Sequence, residues 1–481
     1  MTTTPQSAAP IVVVGGGLAG LVAAETLVAK SRRRVVIIDP ADRPGGVLQT
    51  VRRGEWLVER AADCFLAARP EGLALVERLG LTDRLLPVSP SARRAMIWWG
   101  GRTVPVPAGF RLLAPGDREA IRTTPLLSAA GRDRLLAEPT VPSRDPAAGD
   151  ESLESFAVRR LGREAFERLV QPLVAGIWTA DPARLSMAAA CPEFVRMERE
   201  HGSLTAGERA RLEAARPGEG QPAPDGPVAG ARYSQFVTLA EGMESLPKAL
   251  WRRLGDAGVE WHRAAVDGLA WSAAGYVLRT AGGSHVQPAA GVVVACPAPI
   301  AAPILGDVAP ALAGELAAIE HAGSAVVCLG YDRAALEHPL TAAGVVVPAV
   351  AGRGCLAISF ASAKFPGRAP GDGALVRVFL GGALDPGVAL LPDELLIARA
   401  AAEAEAILGA RRPPRLVEIA RWHGAMPQYH LGHVDRVRRI GELAAALPGV
   451  ALAGNAYEGV GIPQVIATGI AAADAVAGVC G

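Results

Sequence analysis

The chain has 481 residues, with 49 basic against 48 acidic side chains and a formal charge of +1, so no global field draws it to nucleic acid or an anionic membrane. Half of its residues are hydrophobic, which excludes disorder for the whole chain, and the length exceeds one compact core, so two or three domains are expected. The six cysteines (Cys64, Cys191, Cys296, Cys328, Cys355 and Cys480) are scattered without a CxxC pair and read as reduced thiols of a cytoplasmic protein. The N-terminal residues lack the basic and apolar regions of a signal peptide. The longest charge-free run, 280–306, holds Pro288, Pro297, Pro299 and Pro303, which bar a membrane-spanning helix there.

In chain order, a buried strand over 11–15 runs directly into Gly15-Gly-Gly-Leu-Ala-Gly20, followed by a helix over 18–30 and a second strand over 35–39. This is a βαβ opening of about thirty residues. Residues 43–58 are rich in turns, and helical periodicity returns over 70–81. Residues 91–150 alternate loops with short elements. One long helix is expected from 150 to about 177, with Asp150 as its cap. Residues 203–230, mostly Gly, Pro, Ala, Glu and Arg, read as a flexible insertion. A helix over 244–254 precedes strands that include 292–296. Further strand-like runs lie at 325–329 and 374–380, and an amphipathic helix spans 390–408. A strand at 450–454 then feeds a turn and a final Ala-rich helix.

The first chemical signal is Gly15-x-Gly17-x-x-Gly20 between strand and helix. Gly15 permits the tight turn, Gly17 lets backbone approach a pyrophosphate, and Gly20 allows helix and strand to pack closely. Free N–H groups at the helix start meet the phosphate charge. Asp39 ends the second strand, 22 residues after Gly17, where an acid can bind ribose hydroxyls. Arg43-Pro-Gly45-Gly46-Val-Leu-Gln-Thr50 follows, and resembles the RxGGxxxT signature of the flavin amine oxidase-like oxidoreductases.

Later blocks resemble the protoporphyrinogen oxidase family, in particular its soluble bacterial branch, where coproporphyrinogen III is often the substrate. They are Asp150-Glu-Ser-Leu, Arg159-Arg-Leu-Gly-Arg-Glu, Pro172-Leu-Val-Ala-Gly-Ile-Trp-Thr-Ala-Asp181 and Phe360-Ala-Ser-Ala-Lys-Phe-Pro. Val376-Arg-Val-Phe-Leu-Gly-Gly382, Trp422-His-Gly-Ala-Met-Pro-Gln-Tyr-His-Leu-Gly-His433 and Gly454-Asn-Ala-Tyr-Glu-Gly-Val-Gly-Ile-Pro463 complete the set. The resemblance implies an α/β fold: a Rossmann-type (GR2-like) FAD-binding domain with an inserted substrate domain of mixed sheet and helices. Its FAD-binding segments would be 8–90, 231–300 and 441–481. Residues 91–230 would form a helical substrate or membrane-facing domain, and 301–440 a substrate-binding α+β domain. The implied activity is the FAD-dependent, oxygen-consuming, six-electron oxidation of coproporphyrinogen III or protoporphyrinogen IX to the porphyrin, releasing hydrogen peroxide, in haem biosynthesis. Peripheral membrane contact and a homodimer are compatible with this, and no nucleic-acid partner is expected.

By the same resemblance Gly15, Gly16, Gly17, Leu18, Ala19, Gly20, Asp39, Pro40, Arg43 and Gly46 would hold the FAD phosphates and ribose. Val266 would meet the adenine side, and Trp422, Val460, Gly461 and Ile462 would lie near the isoalloxazine. A helix starting at about Pro463 would also point its positive end at the flavin's pyrimidine edge and stabilise the reduced anion. Two departures stand out. Asp39 replaces the commoner Glu, and Ala61-Ala62-Asp63-Cys64, which the resemblance also makes FAD-binding residues, replaces the family's Gly-Pro-Asp-Ser beside the flavin. Arg69, Arg93 and Arg94, with Arg102 and Arg111, are the candidate cations for substrate carboxylates. No acid–base dyad is visible. His430-x-x-His433 sits in a loop with Gly432 between the two histidines and no Cys beside them, so no metal is expected. The alternative is another enzyme of the same FAD fold, an amine oxidase or carotenoid desaturase, and a third class is a non-catalytic flavin or haem carrier.

Overall fold

Strands made of uninterrupted Val and Ile need cover on both faces, and parallel sheets supply it. In the computed structural model, which describes residues 9–214, 236–272, 275–281 and 286–480, such strands pair at the centre of a five-stranded parallel sheet. β1 (Ile11–Val14) lies between β2 (Val35–Asp39) and the strand Gly291–Val294, with Glu260–Arg263 and Val450–Leu452 at the edges. One face is covered by α1 (Leu18–Lys30) and the C-terminal helix Ile462–Cys480, which share a core with Ile11, Val13 and Val293. The other face packs on the helices Ala298–Leu305, Pro310–Ala317 and His433–Ala445. By length and composition the C-terminal helix could cross a membrane. Here Ile466, Ala473 and Val476 are fully buried, so its apolarity serves the core.

A seven-stranded sheet forms the second layer, in the order Leu416–Pro427, His321–Asp332, Gly373–Gly381, Ala357–Phe360, Gly344–Val346, Ala95–Trp99 and Arg102–Pro105. Two strands from the 91–230 segment thus hydrogen-bond into a sheet built mainly from 301–440, through the parallel pair Gly344–Val346 and Ala95–Trp99. The helices between 118 and 214 pack on one face of this sheet, and Asp393–Leu408 on the other.

Two expected elements differ. The helix expected over 150–177 is divided: Leu153–Leu161 ends at Gly162, whose φ is +94°, and a π-turn over Phe166–Val170 leads into Gln171–Trp178. Ser152, rather than Asp150, caps the first piece by accepting the Ser155 N–H at 3.2 Å, while Asp150 accepts the Gly432 N–H. Within the expected flexible insertion, Leu204–Ala214 is an ordered helix, and 215–230 lies outside the described residues. The helix forms because Glu138, fully buried, accepts the N–H groups of Leu204 and Thr205 at 2.9 and 3.1 Å. Arg160, equally buried, neutralises that carboxylate. Glu138→Ala removes the nearer of this arginine's two carboxylates, leaving Glu198 at 3.3 Å, and strips the Leu204 and Thr205 N–H groups of their acceptor, so we expect a loss of about 3 kcal/mol in denaturant unfolding, and faster amide exchange over 204–214. A variant within about 1 kcal/mol of the parent would refute this account.

Candidate functional site

The glycine loop is shaped from both sides. A side chain at Gly20 would place its Cβ 1.9 Å from the Gly15 carbonyl oxygen, so helix and strand meet backbone to backbone. At Gly17 the same construction meets nothing within 4 Å, and its φ of −69° and ψ of 177° suit any residue. Glycine is therefore not required there by the protein's own packing. The space beside Gly17 adjoins the first turn of α1, whose amides have no side-chain cap. Uncapped N–H groups, a positive helix end and an open cradle fit a pyrophosphate. Leu18 and Ala19 continue the turn into the core.

Asp39 is held at the loop: its Oδ2 accepts the Gly16 N–H at 2.6 Å, and its Oδ1 the Ala41 N–H at 2.7 Å. A carboxylate keeps further lone pairs for ribose hydroxyls. Pro40 beside it is exposed. Trp261 packs over Gly16 and donates its indole N–H to the Ala41 carbonyl at 3.3 Å. Arg43 donates to the carbonyls of Pro44, Gly46 and Leu48, which curls the Gly45–Gly46 loop, and Gly45 donates to the Gly16 carbonyl. Val266 buries its side chain in the core, so contact with an adenine would run through its backbone. Trp422 donates to the Arg60 carbonyl at 2.9 Å, beside Ala61 and the exposed Ala62. Val460 and Gly461 are half-buried, and Ile462 begins the C-terminal helix, whose first turn contains no acid. The turn before it is pinned by Tyr429, whose hydroxyl donates to the Asn455 carbonyl and accepts the Gly459 N–H. His433 stacks on that tyrosine at 3.8 Å, and burial pushes its imidazole down to about 4. His430 instead faces Arg184 and Glu320.

A cavity of about 1200 Å³ of free space, counting its open mouth, lies between the seven-stranded sheet, the helix Gln171–Trp178 and the segment around Phe110. Its walls are largely apolar, including Val106, Phe110, Leu173, Ile177, Val346 and Phe379. Among the described residues its charged lining groups are Asp63, Arg111, Lys364 and Arg377, and the Cys64 thiol lines it as well. Arg111 is neutralised by Glu193 at 2.7 Å and Glu208 at 2.8 Å. Asp63 accepts from Lys364 and from the Cys64 thiol at 3.3 Å, and forms an ion pair with Arg377 at 3.0 Å. Burial alone would raise its carboxyl, but the two cations outweigh burial and hold it far below the usual range. Burial and the adjacent carboxylate push the Cys64 thiol well up, so it stays protonated.

The structure does not bring the expected arginines together. Arg69, Arg94 and Arg102 lie on the exposed surface, and Arg93 is half-buried outside the lining. Of that group Arg111 alone reaches the cavity, with its charge already spent.

The chain matches the family described as flavin containing amine oxidoreductase over residues 18–477. The chain belongs to that family. It is 30% identical to a coproporphyrinogen III oxidase of Bacillus subtilis (strain 168), over 96% of each chain. It is 33% identical to the coproporphyrinogen III oxidase of Propionibacterium freudenreichii, covering 97% of this chain and 90% of that one. The crystal structure of a candidate protoporphyrinogen oxidase from Exiguobacterium sp. 255-15 superposes with a TM-score of 0.85 at 28% identity, over 98% and 99% of the two chains. As a flavin containing amine oxidoreductase, the protein uses FAD as its cofactor.

Sequence reasoning overlooked Lys364 and Arg377 as site residues, although each left a signal. Lys364 is one of three lysines among 49 basic residues. Arg377 interrupts the apolar run 374–380, where a charge facing the core needs a reason. Glu59, on the strand Trp56–Glu59, is a buried acid outside the cavity lining. Burial pushes its carboxyl up to about 6, against the Met243 N–H and Thr50 hydroxyl that favour the anion.

Gly17→Val keeps the fold, since its Cβ meets no atom, but fills the pyrophosphate cradle. We expect flavin content below about a tenth of the parent by absorbance at an unchanged circular dichroism spectrum, because the cofactor loses its phosphate site. Full flavin occupancy would sink the assignment. For Glu59, a raised folded-state value means stability that is fully present below the ordinary 4.5 and lost as pH rises through about 6. The shift is worth about 2 kcal/mol. Glu59→Gln removes this loss, so its melting temperature relative to the parent should climb between pH 4.5 and 6.5 in calorimetry of flavin-free protein. A gap that is flat across that range contradicts it.

Proposed function

We propose that the protein oxidises a porphyrinogen to the porphyrin, with FAD as first electron acceptor and O2 as the second, and that it prefers coproporphyrinogen III to protoporphyrinogen IX. The observation that carries this reading is the cavity: an open-mouthed, largely apolar space whose wall holds a pair of cations sharing one carboxylate. A porphyrinogen has matching chemistry, an apolar flexible ring with carboxylates on short arms. Bound FAD supplies a two-electron acceptor for hydride from a ring carbon, so three oxidations complete the six-electron change.

The protein's own residues bind, orient and exclude water. Phe110, Leu173 and Val346 cover the ring, and Lys364 and Arg377 meet negative charge in a setting where charge-assisted hydrogen bonds are strong. Asp63 holds its negative charge against protonation and Cys64 keeps its proton, so neither is poised as a general base near neutrality. That suits an oxidation in which pyrrole protons become acidic as the ring loses electrons and leave through water.

Arg69, Arg93, Arg94 and Arg102 lie outside the cavity lining and lend the preference for coproporphyrinogen III no support. It is supported by the relatives of that name at 30% and 33% identity. Steady-state assays of both substrates, with oxygen uptake and peroxide measured together, test the proposal. We expect kcat/KM to favour coproporphyrinogen III by roughly tenfold, what one further charged hydrogen bond of about 1.5 kcal/mol supplies. A preference for protoporphyrinogen IX overturns the choice of substrate, and no turnover of either overturns the reaction.

A further inference from the structure

The strands Ala357–Phe360 and Gly373–Gly381 are antiparallel neighbours, and their register sets Ser359 directly opposite Arg377. Opposed residues share one face of a sheet with Cβ atoms about 5 Å apart. Both residues line the cavity. Each also carries a buried polar atom without a hydrogen-bond partner, Ser359 Oγ and Arg377 Nε. Arg377 is 1% exposed, and its two other nitrogens are engaged, Nη1 with Asp63 and Nη2 with the Ala61 carbonyl. Two adjacent buried groups left unpaired in one cavity wall are costly and uncommon unless something else completes them.

The charge count points the same way. Lys364 and Arg377 share Asp63 as their one carboxylate. The next acid, Glu59, is spent on Met243 and Thr50, and the next cation, Arg368, on the carbonyls of Leu239 and Ala240. Among the described residues this buried group therefore holds three cations against two carboxyls. An uncompensated buried cation is expensive, and an anionic ligand removes the expense. A carboxylate is the matching anion: one oxygen accepts from Arg377 Nε, the other from the Ser359 hydroxyl.

We infer that Ser359 and Arg377, with Lys364 behind them, form the subsite for one propionate carboxylate of the macrocycle and so hold the ring in one rotational setting. The inference rests on the porphyrinogen reading above and names where that substrate is gripped. Its competitor assigns the extra cation to the reduced flavin, whose negative charge it would stabilise.

The test uses the flavin-loaded protein, with coproporphyrin III and its tetramethyl ester as probes, binding being followed by porphyrin fluorescence. The parent should bind the free acid far more tightly than the ester. Ser359→Ala and Arg377→Lys should each shrink that ratio by about tenfold, the worth of one charge-assisted hydrogen bond, with flavin content and flavin potential unchanged. Ratios equal to the parent's in both variants overturn the subsite. So does a shifted flavin potential with the ratio intact, which favours the competitor. Should Arg377→Lys not fold, Ser359→Ala decides alone, because its hydroxyl has no partner to lose. If the parent binds neither porphyrin, the porphyrinogen reading itself fails, an outcome distinct from a failed subsite.

Discussion

The approach of backbone to backbone around α1 sets the rest of the structure. On one side Gly20 leaves no room for a Cβ against the Gly15 carbonyl. On the other, a Cβ at Gly469 would lie 2.5 Å from the Ala19 carbonyl oxygen, so the C-terminal helix presses equally close. The first turn of α1 is thereby clamped between residues near the two ends of the chain. Its amides are fixed in space before any ligand arrives, and preorganised donors cost little reorganisation on binding. The same clamp sets the start of the C-terminal helix, at Ile462, beside the turn 454–461. Both helix N-termini thus belong to one rigid unit.

What is legible in the sequence follows from whether the cause is local. α1 occupies 18–30 as its pattern predicts, and Pro70–Arg78 falls inside the predicted 70–81. In each, hydrophobic period and end signals agree. The helix expected over 150–177 fails at Gly162, a residue that a helical pattern tolerates. It breaks there because Gly162 turns to a φ of +94°, outside the helical region, and Arg134, 28 residues earlier, packs 2.6 Å from where a Cβ would lie, so only glycine fits the turn. The helix Leu204–Ala214 escapes notice for the converse reason. Its composition is loop-like, and the groups that order it, Glu138 and Arg160, come from distant parts of the chain.

The same distinction separates the two halves of the candidate site. A pyrophosphate cradle is made of backbone groups, and backbone can approach a ligand closely only where side chains are missing. That demand writes glycines at fixed spacing, so the loop at 15–20 and the Gly45–Gly46 turn are readable in one sequence. The cavity wall is made of side chains, and which of them meet depends on register between strands far apart in the chain. Asp63 and Lys364 are 301 residues apart, and nothing local links them. Arginines close together in sequence, such as Arg93 and Arg94, are a poor guide, because surface is where most arginines lie.

Buried charge then becomes the better signal for the second half. A well-packed apolar replacement for Lys364 and Arg377 would be no less stable than the ion cluster and often more so, since desolvating charges costs more than their mutual attraction returns. The surrounding walls are already apolar and would accommodate it. A chain selected for stability alone has no use for three ionised groups in the wall of such a cavity. Their presence, with an arginine Nε and a serine hydroxyl left unpaired beside them, makes sense if the carboxylate that completes the cluster is delivered with the substrate. The unpaired donors are then recognition elements whose partners arrive during each turnover, and the stability forgone in the free protein is recovered as affinity for a carboxylated ring.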